Sequence, residues 1–163
     1  MRRLLVTAMA VTLFAGGWPS TPAEAQLQPA GVVTVAPYET VSRALETIGT
    51  LADQPDLPQA LEFMIAEATD GRGLAGLDQQ RPLGGIFMVG EETFHVVGYV
   101  PVDDMAAFLE TLEAASGGAV EDTGEGVYEL EADAQTLVIR EANGWALISD
   151  DREALGAARY DHL

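Results

Sequence analysis

The sequence predicts an α+β fold: an antiparallel sheet built from β-hairpins with helices packed on one face, in the order β-α-α-β-β-α-β-β-β-α. Three observations carry that reading. Two β-rich runs, residues 86–89 and 94–100, are joined by the short polar segment Gly90-Glu91-Glu92-Thr93, which is suited to closing a hairpin. Asn143-Gly144 lies between two further runs and is a strong hairpin signal, because both central residues of a type I′ turn need positive φ. After each hairpin comes an acidic pair and then a helical start: Asp103-Asp104 before Met105, Phe108, Leu109 and Leu112, and Asp150-Asp151 before Ala154 and Leu155.

Taken in order, Gly31 to Val35 makes a first strand ended by Ala36-Pro37. Val41, Ala44, Leu45, Ile48 and Leu51 then fall at helical spacing within 38–51. A second helix starts near Asp56 and Pro58 and runs to about Thr69, with Leu57, Leu61, Met64, Ile65 and Ala68 on one side. The glycine-rich linker 71–85 leads into the first hairpin. Its second strand reads as central: Phe94, Val96 and Gly98 share one face and His95, Val97 and Tyr99 the other, so both faces are largely apolar. Pro101 ends that strand for want of an N–H. Ser116-Gly117-Gly118 stops the next helix, and 119–126 reads as an acidic turn region. Strands over 127–131, 136–141 and 145–149 follow, and then a last helix from Asp150 with Glu153 three residues on. The short ending ALGAARYDHL suggests a chain stopped inside or just after an element.

The chain of 163 residues carries a formal charge of -18, from 26 acidic side chains against 8 basic ones, all of them Arg. That balance repels nucleic acid and anionic lipid, so neither is an expected partner. At the N-terminus, Arg2 and Arg3 precede an apolar run over 4–16 and an Ala23-Glu24-Ala25 cleavage site, the pattern of a secretory leader. The expected organisation is a cleaved leader over 1–25, a flexible tail over 26–30 and one α+β domain over 31–163, whose C-terminal end reads as truncated. The apolar run is shorter than the roughly 20 residues of a spanning helix, so no membrane span is expected once the leader is removed. The product would be periplasmic or extracellular, and with no Cys it has no disulfide framework to hold it.

Gly71-Arg72-Gly73-Leu74-Ala75-Gly76 matches a dinucleotide-binding fingerprint letter for letter, but it follows a helix rather than a strand and reads as a helix stop and loop. Asp122-Thr123-Gly124 matches the tripeptide that carries the aspartyl protease carboxylate, a chemistry that needs a second such group. In the run GGAVEDTGEG it reads as a turn. The pairs Glu91-Glu92, Asp103-Asp104, Glu121-Asp122 and Asp150-Asp151 could offer oxygens to Ca²⁺, though none has the spacing of a calcium loop. Four of these residues read as helix starts. His95 and His162 are the only histidines; His95 reads as packed on a strand face with one ring nitrogen bonded. Ser42, Ser116 and Ser149 lack a nucleophile context. No catalytic, cofactor-binding or metal residue is therefore assigned.

The linker GRGLAGLDQQRPLGG, the strand end GYVPV and the closing NGWALIS resemble uncharacterised exported proteins of planctomycete-type bacteria, over roughly 32–155. The resemblance implies an exported α+β domain, often continuing beyond the point where this chain stops. It carries no catalytic residues over, and it lapses after Leu155. The reading favoured is a non-catalytic exported domain that binds a protein or envelope partner. The alternatives are a hydrolase pairing Glu121 or Asp122 with Asp103, whose carboxyls would have to lie within about 5–10 Å, and a calcium-stabilised module.

Overall fold

The computed structural model describes residues 27–91, 93–132 and 135–158. The expected leader, Glu92 of the first hairpin tip and His162 lie outside them. Strands β1 (Gln28–Val35), β2 (Leu83–Val89), β3 (Phe94–Pro101), β4 (Ala119–Gly124), β5 (Val127–Ala132), β6 (Gln135–Ala142) and β7 (Trp145–Ser149) form one sheet. Helices are α1 (Tyr38–Leu51), α2 (Leu57–Ala68), α3 (Met105–Ser116) and α4 (Arg152–Ala157). The α+β class and the antiparallel sheet are as the sequence predicts. The elements follow the expected order with one strand more: β4 occupies the segment that reads as an acidic turn. β1 also begins three residues earlier than expected, at Gln28.

The sheet order is β1-β2-β3-β7-β6-β5-β4, so two meanders are joined where β3 meets β7. That joint pairs Gly98 with Ile148, Tyr99 with Leu147, Val100 with Ala146 and Pro101 with Trp145. Because paired residues share a face, the two sides of the sheet separate cleanly. Val97, Tyr99, Trp145 and Leu147 point to one side and pack with Ile86, Met88 and with Ala154 and Leu155 of α4. Ala146 points to the other, where Ile139, Leu130 and Val102 pack with Phe108 of α3. The helices are thus divided between the faces rather than gathered on one. The cause is topological: α3 must carry the chain from the middle of the sheet to the far edge, and it covers β7, β6 and β5 on the way. With its face of β3 and β7 taken, α4 covers the opposite one.

Tyr99 ties the first meander together. Its ring crosses over β2 at Gly84 and its hydroxyl reaches β1, 2.6 Å from Thr34 Oγ1 and 3.2 Å from the Val33 carbonyl oxygen, to which it donates. Gly84 allows this, since a Cβ there would collide with the Tyr99 phenol and the Val33 carbonyl. Trp145 packs edge-on against Tyr99 with ring centroids 5.6 Å apart, and the Arg81 guanidinium lies 3.9 Å from its other neighbouring surface, over the indole. Arg81 also donates to the Gly144 carbonyl at 3.0 Å, so the linker clamps the last hairpin. In that hairpin Asn143 (φ 51°) and Gly144 (φ 74°) both take the left-handed conformation that a type I′ turn demands.

Gly84→Ala should destabilise the fold by at least about 2 kcal/mol in a denaturant titration, because either Tyr99 or β1 must move. Gly85→Ala is the control. Its Cβ would meet a Val96 methyl at 3.3 Å and the Val97 carbonyl oxygen at an ordinary contact distance of 3.8 Å, and the expected change is within about 1 kcal/mol.

Candidate functional site

The apolar side chains that the fold leaves uncovered are not scattered. All ten large ones among the described residues lie in β1–β3 and in α1–α2. On the sheet, α3 covers its face only from β7 outward, so Val33, Val35, Val89, Phe94 and Val96 on the β1–β3 part of that face remain open. Phe87 and Phe94 stack there with centroids 5.7 Å apart. This surface carries no Asp, Glu or Arg, since β1, β2 and β3 contain none of them.

The second uncovered surface is the helical hairpin. α1 and α2 pack chiefly on each other, closed by a turn in which the Gln54 amide donates to the Gly49 carbonyl at 2.8 Å. The apolar stripes expected along both helices do form, yet half of each faces outward. Leu51 is 84% exposed, Phe63 69% and Met64 65%. Leu45, Leu61 and Ile65 are part-buried. The root of the hairpin is fixed: the Glu39 amide donates to the Gln79 carbonyl, the Gly71 amide to the Ala66 carbonyl at 2.7 Å, and the Gly73 amide to Thr69 Oγ1 at 2.8 Å. Gly76 continues the clamp, its carbonyl accepting from the amides of Asp103 and Asp104 beneath α3. The glycines of the dinucleotide-like match therefore serve turns between α2 and β2, at positive φ for Gly71, Gly73 and Gly76.

Between the hairpin and the linker lie two open clefts that meet at Tyr38. One is lined by Ser42, Arg43, Glu46 and Gln79, the other by Glu62, Ile65, Gly73 and Leu74. Partial burial, and after it the carboxylate of Glu62, push the Tyr38 phenol above its usual value of 10.0.

The residues weighed from the sequence do not converge. Asp104 and Asp151 are helix caps, their carboxylates accepting from the Ala107 and Ala154 amides at 3.1 and 2.8 Å. The capping residue is thus the second of each pair, one later than Asp103 and Asp150. Asp122 lies in β4 and not in the turn expected for it, at a register shift where its side chain accepts from the Gly124 amide at 2.8 Å, while Thr123 donates to the Val127 carbonyl. Four strand spacings, roughly 19 Å, separate β4, which carries Glu121 and Asp122, from β3, which ends beside Asp103. That exceeds the carboxyl separation a glycosidase pair needs. His95 is 18% exposed with Nδ1 3.3 Å from Asp150 Oδ1 and Nε2 3.9 Å from Asp151 Oδ2, joining β3 to the start of α4. Ser149 is buried and its hydroxyl accepts from the Asp151 amide; Ser116 closes α3 and Ser42 lies on α1. Among the described residues, no three His, Asp or Glu side chains form a group able to hold a metal ion.

The uncovered surface is what sequence reasoning missed. Apolar residues on both faces of 94–100 mark a strand wanted on both sides, and they do not say whether this chain supplies both covers.

Asp104→Ala should cost about 1 kcal/mol of stability through the lost cap, whereas Asp103→Ala should cost less than about 0.5 kcal/mol, both read from urea midpoints. Tyr38 gives a pH effect of defined sign. Its phenol holds the proton more tightly when folded, so its contribution is complete below pH 10.0 and is lost as pH rises through the folded value. Tyr38→Phe should flatten that alkaline loss.

No helix among the described residues is long and apolar enough to cross a membrane. Comparison with protein families, with curated proteins and with solved structures finds no match.

Proposed function

We propose that this chain is an exported, non-catalytic α+β domain that binds a protein partner through the apolar surfaces of β1–β3 and α1–α2. One observation carries the proposal: nine of the ten large exposed apolar side chains among the described residues belong to those two surfaces, Val32 alone lying on the other face of β1. A monomer rarely exposes contiguous apolar patches beyond a few hundred Å² unless they have a use. Export is supported by the leader pattern over residues 1–25, and the acidic remainder keeps a chain with such a surface soluble.

Two measurements test it. A reporter fused after residue 30 should be exported and cut between Ala25 and Gln26, as read by mass spectrometry of the product; a reporter retained with its leader intact would remove the export half. The surface should bind an environment-sensitive apolar dye, and Phe94→Ser and Phe63→Ser should each reduce that signal, Phe63→Ser shifting stability by less than about 0.5 kcal/mol and Phe94→Ser, which loses its stack on Phe87, by about 0.5–1.5 kcal/mol. Hydrolytic turnover of a glycan or peptide that Asp122→Asn abolishes would instead favour the paired-carboxylate enzyme.

A further inference from the structure

We infer that the partner is a second copy of this chain, with the α1–α2 hairpin of each copy lying on the uncovered β1–β3 face of the other. This inference rests on the binding reading above and names its occupant. The two surfaces are of the same chemistry and sit on one chain, which is the condition for an isologous two-fold contact in which hairpin meets sheet twice. A sheet face covered along only part of its width calls for a helical layer, and an amphipathic hairpin with an exposed stripe calls for a sheet.

The hairpin does not serve its own sheet. Both ends of its root are held: α1 by the Glu39 amide on the Gln79 carbonyl, and α2 by the Thr69–Gly73 bonds and by the Arg72–Glu110 ion pair at 2.6 Å. Folding back onto its own β1–β3 would have to disturb these contacts, whereas a second copy receives the hairpin as it stands.

Size agrees with this. At about 160 Å² for each fully exposed large apolar residue, an average set by aromatic side chains of ~150–250 Å² and smaller aliphatic ones, the nine concerned, on average just over half exposed, present roughly 800 Å² per copy. Two copies would remove about 1,600 Å², the standard area of a specific interface. Charge allows it as well. With a formal -18 on each copy, close approach is tolerable where two acidic surfaces do not face each other: β1–β3 contains no Asp, Glu or Arg, so the carboxylates of the hairpin, Glu46 and Glu62 among them, would meet a neutral face. The repulsion that remains is long-ranged and screened by salt.

Sedimentation of the purified chain should show a monomer–dimer equilibrium that tightens as salt is raised. Phe63→Ser and Phe94→Ser should each weaken it at least about tenfold while the monomer stays folded, as read from a cooperative melt at a dilution where both variants and the parent are monomeric. The chain has no Cys, so Phe63→Cys chains mixed with Phe94→Cys chains and treated with a short bis-maleimide should give a linked dimer holding one of each. A double Phe63→Cys, Phe94→Cys chain that links within itself as a monomer would overturn the inference in favour of the hairpin closing on its own sheet. A dimer indifferent to both serine changes would overturn it too. A chain monomeric up to several hundred micromolar that still binds the apolar dye would overturn the second-copy inference and leave the binding reading standing. A monomer that binds no dye would remove both.

Discussion

The ladder between β3 and β7 is the contact on which the rest of the structure depends. Each meander alone would be a small sheet with apolar side chains on both faces and an unpaired edge. Joined through Tyr99–Leu147 and Val100–Ala146, the two become a single sheet whose central strands are buried from both sides. Pro101 and Trp145 close the ladder at one end. From that end Arg81 reaches in over the indole and ties the linker to the sheet. Tyr99 extends the joint outward, over Gly84 to Thr34 of β1, so the first edge strand is anchored to the middle of the sheet.

This arrangement distributes cover unevenly, and the unevenness bears on function. α3 crosses the second meander on one face, and α4 lies over the joint on the other. The first meander keeps one face that none of the described helices covers, beside a helical hairpin with its own outward apolar stripe. The two sheet edges also differ. β4 at one edge carries Glu121 and Asp122, and charge on an edge discourages strand addition. β1 at the other edge carries no charged residue. The acidic chain therefore has a neutral, apolar end, and that is the end through which association costs least electrostatically.

Much of this was legible in the sequence because local chemistry decided it. The α+β class, the Asn143-Gly144 turn, the centrality of 94–100 and the helix starts after two acidic pairs all follow from spacing and turn residues. What failed did so for identifiable reasons. β4 has the composition of a turn, AVEDTG, and becomes a strand through tertiary context: Val120 faces α3, its amide donates to Glu113 Oε1 at 2.7 Å, and β5 supplies the ladder. Division of the helices between faces is set by which edge the chain must reach next, which no short window records. The same holds for the site, since residues such as Met64 and Phe94 have the pattern of core residues and differ only in what lies beyond them.

The central claim is that the β3–β7 joint makes the two meanders one cooperative unit. Native-state amide hydrogen exchange, followed with increasing denaturant, tests it most directly. The account predicts that protected amides of β2 and β3 and those of β6 and β7 open with the same free energy and the same denaturant dependence, as one global unfolding event. Exchange from β2 and β3 through a separate, lower-energy opening, with β6 and β7 still protected, would contradict it.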